Sequence, residues 1–421
     1  VGYLAARWTP EALASLMAAL RDGADALRTL PADRLLDAWA STVEAFLEPG
    51  SAERQELAPA LSRFCRLSPE GLDAALAAVL GGLKREPAAA LFAEAETVAV
   101  APDTGPVLVV LASNLPALAV QPLLPALALR RPVLLKSPSA EPLFAPTFLA
   151  ALARREPGLA EAVAAAAWTG GDERLEAPVL AGADTVIAYG DAGALDSLER
   201  RAPGKLVGYG PKTSLAVVGE TAPPREAAEG LARDIALLDQ RGCLSIAAVY
   251  TAGDASTLAD ELGRALSDLA RRWPPGPPDA AALSSVQQLR LEGEMRGLRQ
   301  PPLPLDAGTV LVDPDPTFRP SPGLRTVRIH PLFYLDRLPK LLVPWTGRLQ
   351  GAALAGEDAW ALVPRLAALG FSRFAPPGEL QSPDASWHNG GIHPLRALSP
   401  HPPAPSPAPP RPLPGRGGER Q

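Results

Sequence analysis

The spacing of apolar residues divides the chain into two regimes. Between residues 10 and 95, leucines and valines recur at helical intervals, as in Leu13, Leu16, Leu20 and in Leu72, Leu76, Val79, Leu83. That spacing gathers the apolar side chains on one stripe and predicts an amphipathic helical lead-in. Pro10-Glu11 and Ser68-Pro69-Glu70 read as helix starts, with proline in the first turn and an acid behind it. From about residue 97, short uninterrupted apolar runs alternate with helical stretches. Val107–Leu111, Val133–Lys136, Val163–Trp168, Thr185–Tyr189 and Leu215–Val218 read as strands. Continuous apolar strands joined by helices are buried on both faces, which predicts a parallel sheet. A second α/β unit follows: helix 224–240, a turn, strand 246–251, helix 254–272, a rigid proline loop at 274–278, helix 280–298, strands 309–312 and 326–330, and helix 357–369. The fold class is α/β, with two doubly wound units behind a helical lead-in.

Composition narrows the function classes. The 421 residues are 47% hydrophobic and 20% charged, with a formal net charge of −6. This is the profile of a soluble globular protein, with no basic footprint for nucleic acid. Gly105 to Leu129 carries no formal charge and is long enough to span a bilayer. Asn114 and the prolines at 106, 116, 122 and 125 interrupt it, so a buried strand, a loop and a buried helix are expected, with no integral membrane segment. The two cysteines lack CxxC spacing and the four histidines all fall late in the chain. Neither a disulfide framework nor a metal site is expected. The absence of a basic region followed by an apolar run argues against secretion, and a reducing, cytoplasmic setting is expected.

The chemistry-bearing candidates lie in turns. Cys243 sits in Asp239-Gln240-Arg241-Gly242-Cys243-Leu244-Ser245, between a helical run and a strand, where a scaffold can present a nucleophile. Arg241 is the nearby cation able to favour a thiolate. Upstream, Ala112-Ser113-Asn114-Leu115-Pro116 offers an amide donor of the kind an oxyanion requires. Lys136 ends a strand and is followed by Ser137-Pro138-Ser139. Tyr189-Gly190-Asp191-Ala192-Gly193 follows a strand and precedes a helical run, which places backbone amides at a helix N-terminus. Trp387-His388-Asn389-Gly390-Gly391 comes late in the chain, and Cys65 lies in a helix and reads as a structural thiol.

In this order and separation, over roughly residues 30–395, the motifs resemble the acyl-CoA reductase (LuxC-like fatty-acid reductase) family of the aldehyde dehydrogenase superfamily. The resemblance implies an aldehyde-dehydrogenase-like fold: residues 1–95 as a helical part of the cofactor domain, 96–212 as a Rossmann-like NADP-binding domain and 213–395 as the catalytic domain. The Pro-rich stretch 396–421 is expected to be disordered. By resemblance, Cys243 is the nucleophile, Asn114 holds the reacting oxygen and His388 protonates a leaving thiolate or product oxyanion. Ser113, Lys136, Ser139, Gly190 and Asp191 contact the dinucleotide. Ser139 stands where NAD-preferring members carry an acid, which favours NADPH, provided that neighbouring Glu141 does not take that place. Gly208 stands where aldehyde-oxidising members carry a water-activating glutamate, so an acyl-enzyme here is expected to meet hydride before water.

The expected activity is NADPH-dependent reduction of a long-chain fatty acyl thioester to the aldehyde through acyl-Cys243. The expected partners are acyl-CoA, or an acyl carrier or acyl-protein synthetase, within a homo- or hetero-oligomer. Two alternatives remain open at this point. One is an oxidising aldehyde dehydrogenase, which needs a carboxylate poised beside the thiol. The other is a non-catalytic binding or assembly subunit, in which the cysteine would be inaccessible.

Overall fold

The structure, a computed structural model, describes residues 7–98, 100, 104–112, 115–304 and 306–399. Six helices form the lead-in: α1 (Pro10–Asp22), α2 (Ala24–Thr29), α3 (Ala32–Leu47), α4 (Ala52–Cys65), α5 (Pro69–Gly81) and α6 (Arg85–Ala95). Two of their starts follow from the sequence signal. The Thr9 hydroxyl accepts from the Ala12 N–H at 3.2 Å and Ser68 from the Gly71 N–H at 3.0 Å, each satisfying an orphan first-turn donor ahead of a helix-opening proline.

The first sheet is built by β1 (Val107–Val110), α7 (Val120–Ala128), β2 (Val133–Ser137), α8 (Phe144–Arg155), β3 (Val163–Ala167), α9 (Glu173–Gly182), β4 (Thr185–Tyr189), α10 (Ala192–Arg201) and β5 (Lys205–Tyr209). Its five strands are parallel in the order β3-β2-β1-β4-β5. Helices α3–α6 of the lead-in pack on one face of this sheet, while α1 packs beside α9 on the other. Trp39 and Phe46 of α3 meet Phe148 and Phe144 of α8, each pair at 5.5 Å between ring centroids, in edge-to-face contacts.

The second sheet comprises β6 (Thr213–Val218), α11 (Pro224–Ala236), β7 (Ile246–Thr251), α12 (Ala255–Arg272), α13 (Ala280–Met295), β8 (Thr309–Val312), β9 (Thr326–Pro331), α14 (Leu338–Leu342), β10 (Leu349–Ala355), α15 (Glu357–Trp360), α16 (Val363–Ala367) and β11 (Arg373–Ala375). Its six strands are also parallel, in the order β11-β10-β6-β7-β9-β8. A short α17 (Pro394–Leu398) returns to the first sheet's side, with Leu395 and Leu398 buried there. Lys205 donates from Nζ to the carbonyls of Arg396 and Ser399, so the disorder expected from residue 396 does not hold for 396–399. Residues 400–421 lie outside the described residues.

Other differences from the sequence reading have local causes. β5, β10 and β11 were not expected. Lys205, Gly208 and Tyr209 interrupt the apolar run of β5, and β10 is an alanine-rich stretch, broken by Gln350 and Gly351, with no clear period. The helix expected over 224–240 ends at Ala236, and the chain passes into a 3-10 turn, Leu237–Gln240. The helix expected over 357–369 is two short pieces, α15 and α16. The uncharged stretch before Leu129 is the expected strand, loop and buried helix, and among the described residues no helix is long and apolar enough to cross a membrane.

Candidate active site

The order of the first sheet determines where a crevice opens. The chain builds outward from β1 to β2 and β3, then returns to add β4 on the other side of β1. Loops leaving the C-terminal ends of β1 and β4 diverge at this switch point, and ligands of open α/β sheets bind there. Ala112 and Leu115 follow β1, and Gly190 and Asp191 follow β4. All four line a cavity of about 860 Å³. The opposite wall comes from the N-terminal edge of the second sheet: Thr213 at β6, Ser245 ahead of β7, and Arg348 and Gln350 at β10. Cys243 lines this wall and is half-buried.

The turn that presents Cys243 is held against its own backbone preference. Leu238, Asp239 and Gln240 all have positive φ, at 58°, 48° and 62°. Left-handed conformations cost non-glycine residues about 1–2 kcal/mol each, so the surroundings must enforce them. Asp239 accepts from Arg325 Nε at 3.0 Å and Nη2 at 2.7 Å, and its other oxygen accepts from the Gly276 N–H at 2.9 Å. Gln240 donates to the carbonyls of Ile246 and Thr326, both at 2.7 Å, and accepts from the Thr326 N–H at 2.8 Å. The Cys243 carbonyl accepts from the Ser214 hydroxyl at 2.7 Å, which itself accepts from the Gly351 N–H at 3.0 Å. The turn that carries the thiol is thereby tied to β6, β7, β9 and β10.

Burial pushes the Cys243 thiol up to about 11, opposed by the backbone N–H groups of Cys243 and Leu244 and by the positive charge of Lys212. Lys212 lines the same cavity, and its ammonium donates to the Gly347 carbonyl at 3.1 Å. This replaces the cation expected from sequence. The Arg241 guanidinium turns away to the carbonyls of Leu238 and Arg66, at 3.2 and 3.1 Å, and lies 3.9 Å from Asp239. Spacing along the chain brought Arg241 close to the thiol; the crossing between the two sheets brings Lys212 closer in charge.

The remaining candidates divide by position. Ser113 and Asn114 lie outside the described residues. Gly190 donates its N–H to the Tyr209 carbonyl at 3.3 Å, and Asp191 caps α10 by accepting from the Ala194 N–H at 2.8 Å. Lys136 and Ser139 do not line the cavity but sit further along the same edge of the sheet, at and beyond the end of β2. Lys136 is buried and its ammonium lies 5.7 Å from the Trp168 ring centre, while Ser139 is exposed and donates to the Trp168 carbonyl at 3.3 Å. Glu141 points inward: its Oε1 accepts from the Leu143 and Phe144 N–H groups, both at 2.8 Å, at the start of α8.

His388 is not among the residues lining the cavity. Its ring packs edge-on against His393, 4.8 Å between centroids, and His393 bridges to Glu94 at 2.8 Å. His393 thus joins the late loop to the lead-in, with the His388 ring packed against it, and the acid role expected of His388 stays a proposal. Its neighbours Trp387 and Asn389 do line the cavity. At Gly208, a side chain would meet Leu195 of α10 at 3.3 Å. Among the described lining residues the one carboxylate is Asp191, already used as the α10 cap. Sequence reading missed the stacked tyrosines Tyr189 and Tyr209, 4.9 Å between centroids, which end β4 and β5 on the cavity wall. Their shared position as last residues of adjacent strands was the available signal, hidden because β5 was not recognised.

A cysteine presented across a cleft between two parallel α/β sheets defines an aldehyde-dehydrogenase-like protein. Solved structures agree on that fold. A Bradyrhizobium japonicum proline utilization A variant matches with a TM-score of 0.71 at 16% identity, covering 94% of this chain and 44% of that one. An Escherichia coli lactaldehyde dehydrogenase matches with a TM-score of 0.61 at 16% identity, covering 88% of this chain and 84% of that one. The acyl-CoA reductase (LuxC) family model matches residues 33–400, and the chain belongs to that family. Among its relatives, a long-chain acyl-protein thioester reductase of Aliivibrio fischeri is 25% identical over 226 residues, 52% of this chain and 47% of that protein. Long-chain acyl-protein thioester reductase 2 of Photobacterium leiognathi is 28% identical over 163 residues, 37% of this chain and 34% of that protein. The chain thus spans less than half the length of these relatives.

Proposed function

We propose that this chain reduces a long-chain fatty acyl thioester to the aldehyde with NADPH, through an acyl-Cys243 intermediate. The observation that carries this reading is the half-buried thiol in an 860 Å³ cavity whose described lining holds one carboxylate, Asp191, engaged in capping α10, and no other carboxylate base to activate water. An acyl-enzyme without such a base is slow to hydrolyse and persists for reduction. The accessible cleft at Cys243 argues against a purely structural cysteine, and the missing base argues against aldehyde oxidation.

The Cys243 thiolate forms a bond to the acyl carbon while the carbonyl π pair moves onto oxygen. Asn114 and a backbone N–H near Cys243 hold that oxyanion. Collapse expels the carrier thiolate and leaves acyl-Cys243. When bound, the nicotinamide supplies the hydride that this acyl carbon receives. The sulfur of Cys243 then departs with its electron pair, releasing the aldehyde.

Ser113, Lys136, Ser139, Gly190 and Asp191 are the groups that hold the dinucleotide. The fit is supported by Ser137 Oγ and Trp168 Nε1, buried polar atoms without a hydrogen-bond partner at the ends of β2 and β3. Ser139 is neutral, and Glu176, whose charge reaches Lys136, is paired with Arg201 at 2.7 Å, which lessens the repulsion that a 2′-phosphate would meet there. The acyl carrier is CoA, as the family description has it, or an acylated protein, as the relatives' names have it; an acyl-protein synthetase is the partner that would hand such a group over. Two free cysteines fit a reducing, cytoplasmic setting.

The test is NADPH consumption and aldehyde formation over a panel of acyl-CoAs, with Cys243→Ala alongside. Aldehyde formation by the native chain and none by the variant is expected. Undiminished activity in Cys243→Ala sinks the covalent route, and acid formed from aldehyde and NAD reverses the direction.

A further inference from the structure

Tyr189 is the last residue of β4 and faces Cys243 across the cavity. Its ring is stacked on Tyr209 with an interplanar angle of 20°, which fixes the direction of its hydroxyl. That hydroxyl is within hydrogen-bonding reach of the Asn389 side chain and close enough to Cys243 for the thiolate charge to act on it. Asn389 is itself oriented: its Oδ1 accepts from Gln350 Nε2 at 2.8 Å. The contact with Asn389 favours the charged form of the phenol, so the group that Asn389 turns to Tyr189 is its amide N–H, which donates to the phenol oxygen. The phenol proton is then directed elsewhere, and among the described residues no hydrogen-bond acceptor engages it.

Gln350, Asn389 and Tyr189 therefore form a chain of donors that runs in one sense and ends in an O–H at the cavity. Donors aligned in this way polarise one another, which strengthens the last one. Burial, first, and then the neighbouring Tyr209 and Cys243 push the Tyr189 phenol well above its ordinary range, so it remains a neutral donor over the working pH range.

We propose that Tyr189 is a catalytic residue: its hydroxyl donates a hydrogen bond to the oxyanion that forms on the acyl carbonyl when Cys243 attacks. This deepens the proposed function and rests on Cys243 being the nucleophile, not on the identity of the hydride donor. No proton is transferred. As the C–S bond forms, the π pair moves to the carbonyl oxygen, the Tyr189 O–H bond shortens its contact to that oxygen, and the proton stays on Tyr189 when the carbonyl re-forms. The same donor serves the second oxyanion, formed when the acyl carbon is reduced.

Tyr189→Phe keeps the ring stack and removes only the donor. Acylation is read without cofactor, as the nitrophenolate burst from p-nitrophenyl acetate, beside the rate of Cys243 alkylation by iodoacetamide, a displacement that forms no oxyanion. A burst slowed about 100-fold, the scale of one lost oxyanion donor, with alkylation within twofold of the native rate, is the expected result. A burst within threefold of native overturns the proposal. So does a parallel fall in burst and alkylation, which would place Tyr189 behind the thiol's ionisation. Absence of any burst in the native chain, or one that survives in Cys243→Ala, overturns the nucleophile assignment and Tyr189 with it. A normal burst without NADPH-dependent aldehyde formation overturns only the reductase reading.

Discussion

The Asp239 carboxylate receives two hydrogen bonds from the buried Arg325 guanidinium, at 3.0 and 2.7 Å, in the turn that leads to Cys243. Both side chains are almost fully buried, at 7% and 2% exposure. Breaking such a pair from one side leaves an uncompensated charge in the interior and costs about 3–5 kcal/mol. The same pair holds three left-handed residues in place. Asp239→Asn is therefore expected to lose about 3 kcal/mol or more in urea unfolding, with slower alkylation of Cys243 as the turn relaxes. A loss under about 1 kcal/mol would mean that the Gln240 bonds alone sustain the turn.

The thiol gives a pH prediction with a definite sign. Its reactive form is the thiolate, and burial pushes the group up to about 11. Below that value the ionised fraction rises tenfold per pH unit, so iodoacetamide inactivation should climb with that slope from pH 7 to 10. Lys212 acts in the opposite sense to burial. Lys212→Met should slow inactivation by about three- to tenfold at fixed pH. A plateau near pH 8 would show that the thiol ionises more readily than its surroundings imply.

Much of the scaffold was legible because helical and continuous-strand periodicities dominate the chain. Val107, Val133 and Thr185 begin strands of the first sheet where the apolar runs begin. Cys243 was visible as a turn cysteine, but the way it is held was not. Leu238, Asp239 and Gln240 carry no glycine to announce a left-handed turn, and the partners that enforce it, Arg325 and Thr326, lie far along the chain. The nearness of Lys212 to the thiol was hidden for the same reason, since it arises from two sheets meeting across the cavity. His388 stood in a legible motif, Trp387-His388-Asn389, but nothing in that motif announced that its ring would pack on His393 while its two neighbours line the cavity.

Glu141 links burial to stability. Burial raises its carboxyl from 4.5 to about 7, against the pull of two backbone N–H groups. Below pH 4.5 the group is protonated in both folded and unfolded chains, and its contribution is fully present. As pH rises to 7 the unfolded chain ionises first, and that contribution is lost. Asp234, raised from 3.8 to about 7 by burial, behaves alike. Glu141→Gln keeps the accepting oxygen and removes one of these two losses. Its stability should decline less between pH 4.5 and 7, with a relative gain of up to about 3 kcal/mol at pH 8. Parallel pH profiles for native and variant chains would show that Glu141 is already ionised in the folded state.

Cofactor choice can be tested at Ser139, which is exposed beyond β2 and donates to the Trp168 carbonyl. A carboxylate there would repel a 2′-phosphate and accept from a ribose 2′-hydroxyl instead. Ser139→Asp should raise the KM for NADPH at least about tenfold while leaving that for NADH unchanged or lower, since each like-charge contact costs on the order of 1 kcal/mol or more at a partly buried edge. Folding is not at issue at an exposed loop position, so a loss for both cofactors together would place Ser139 in the architecture of the site. An unchanged KM for NADPH would show that the adenosine end of the cofactor binds elsewhere on the sheet edge. That result would leave Cys243 and its turn untouched while removing the argument from Ser139 to NADPH.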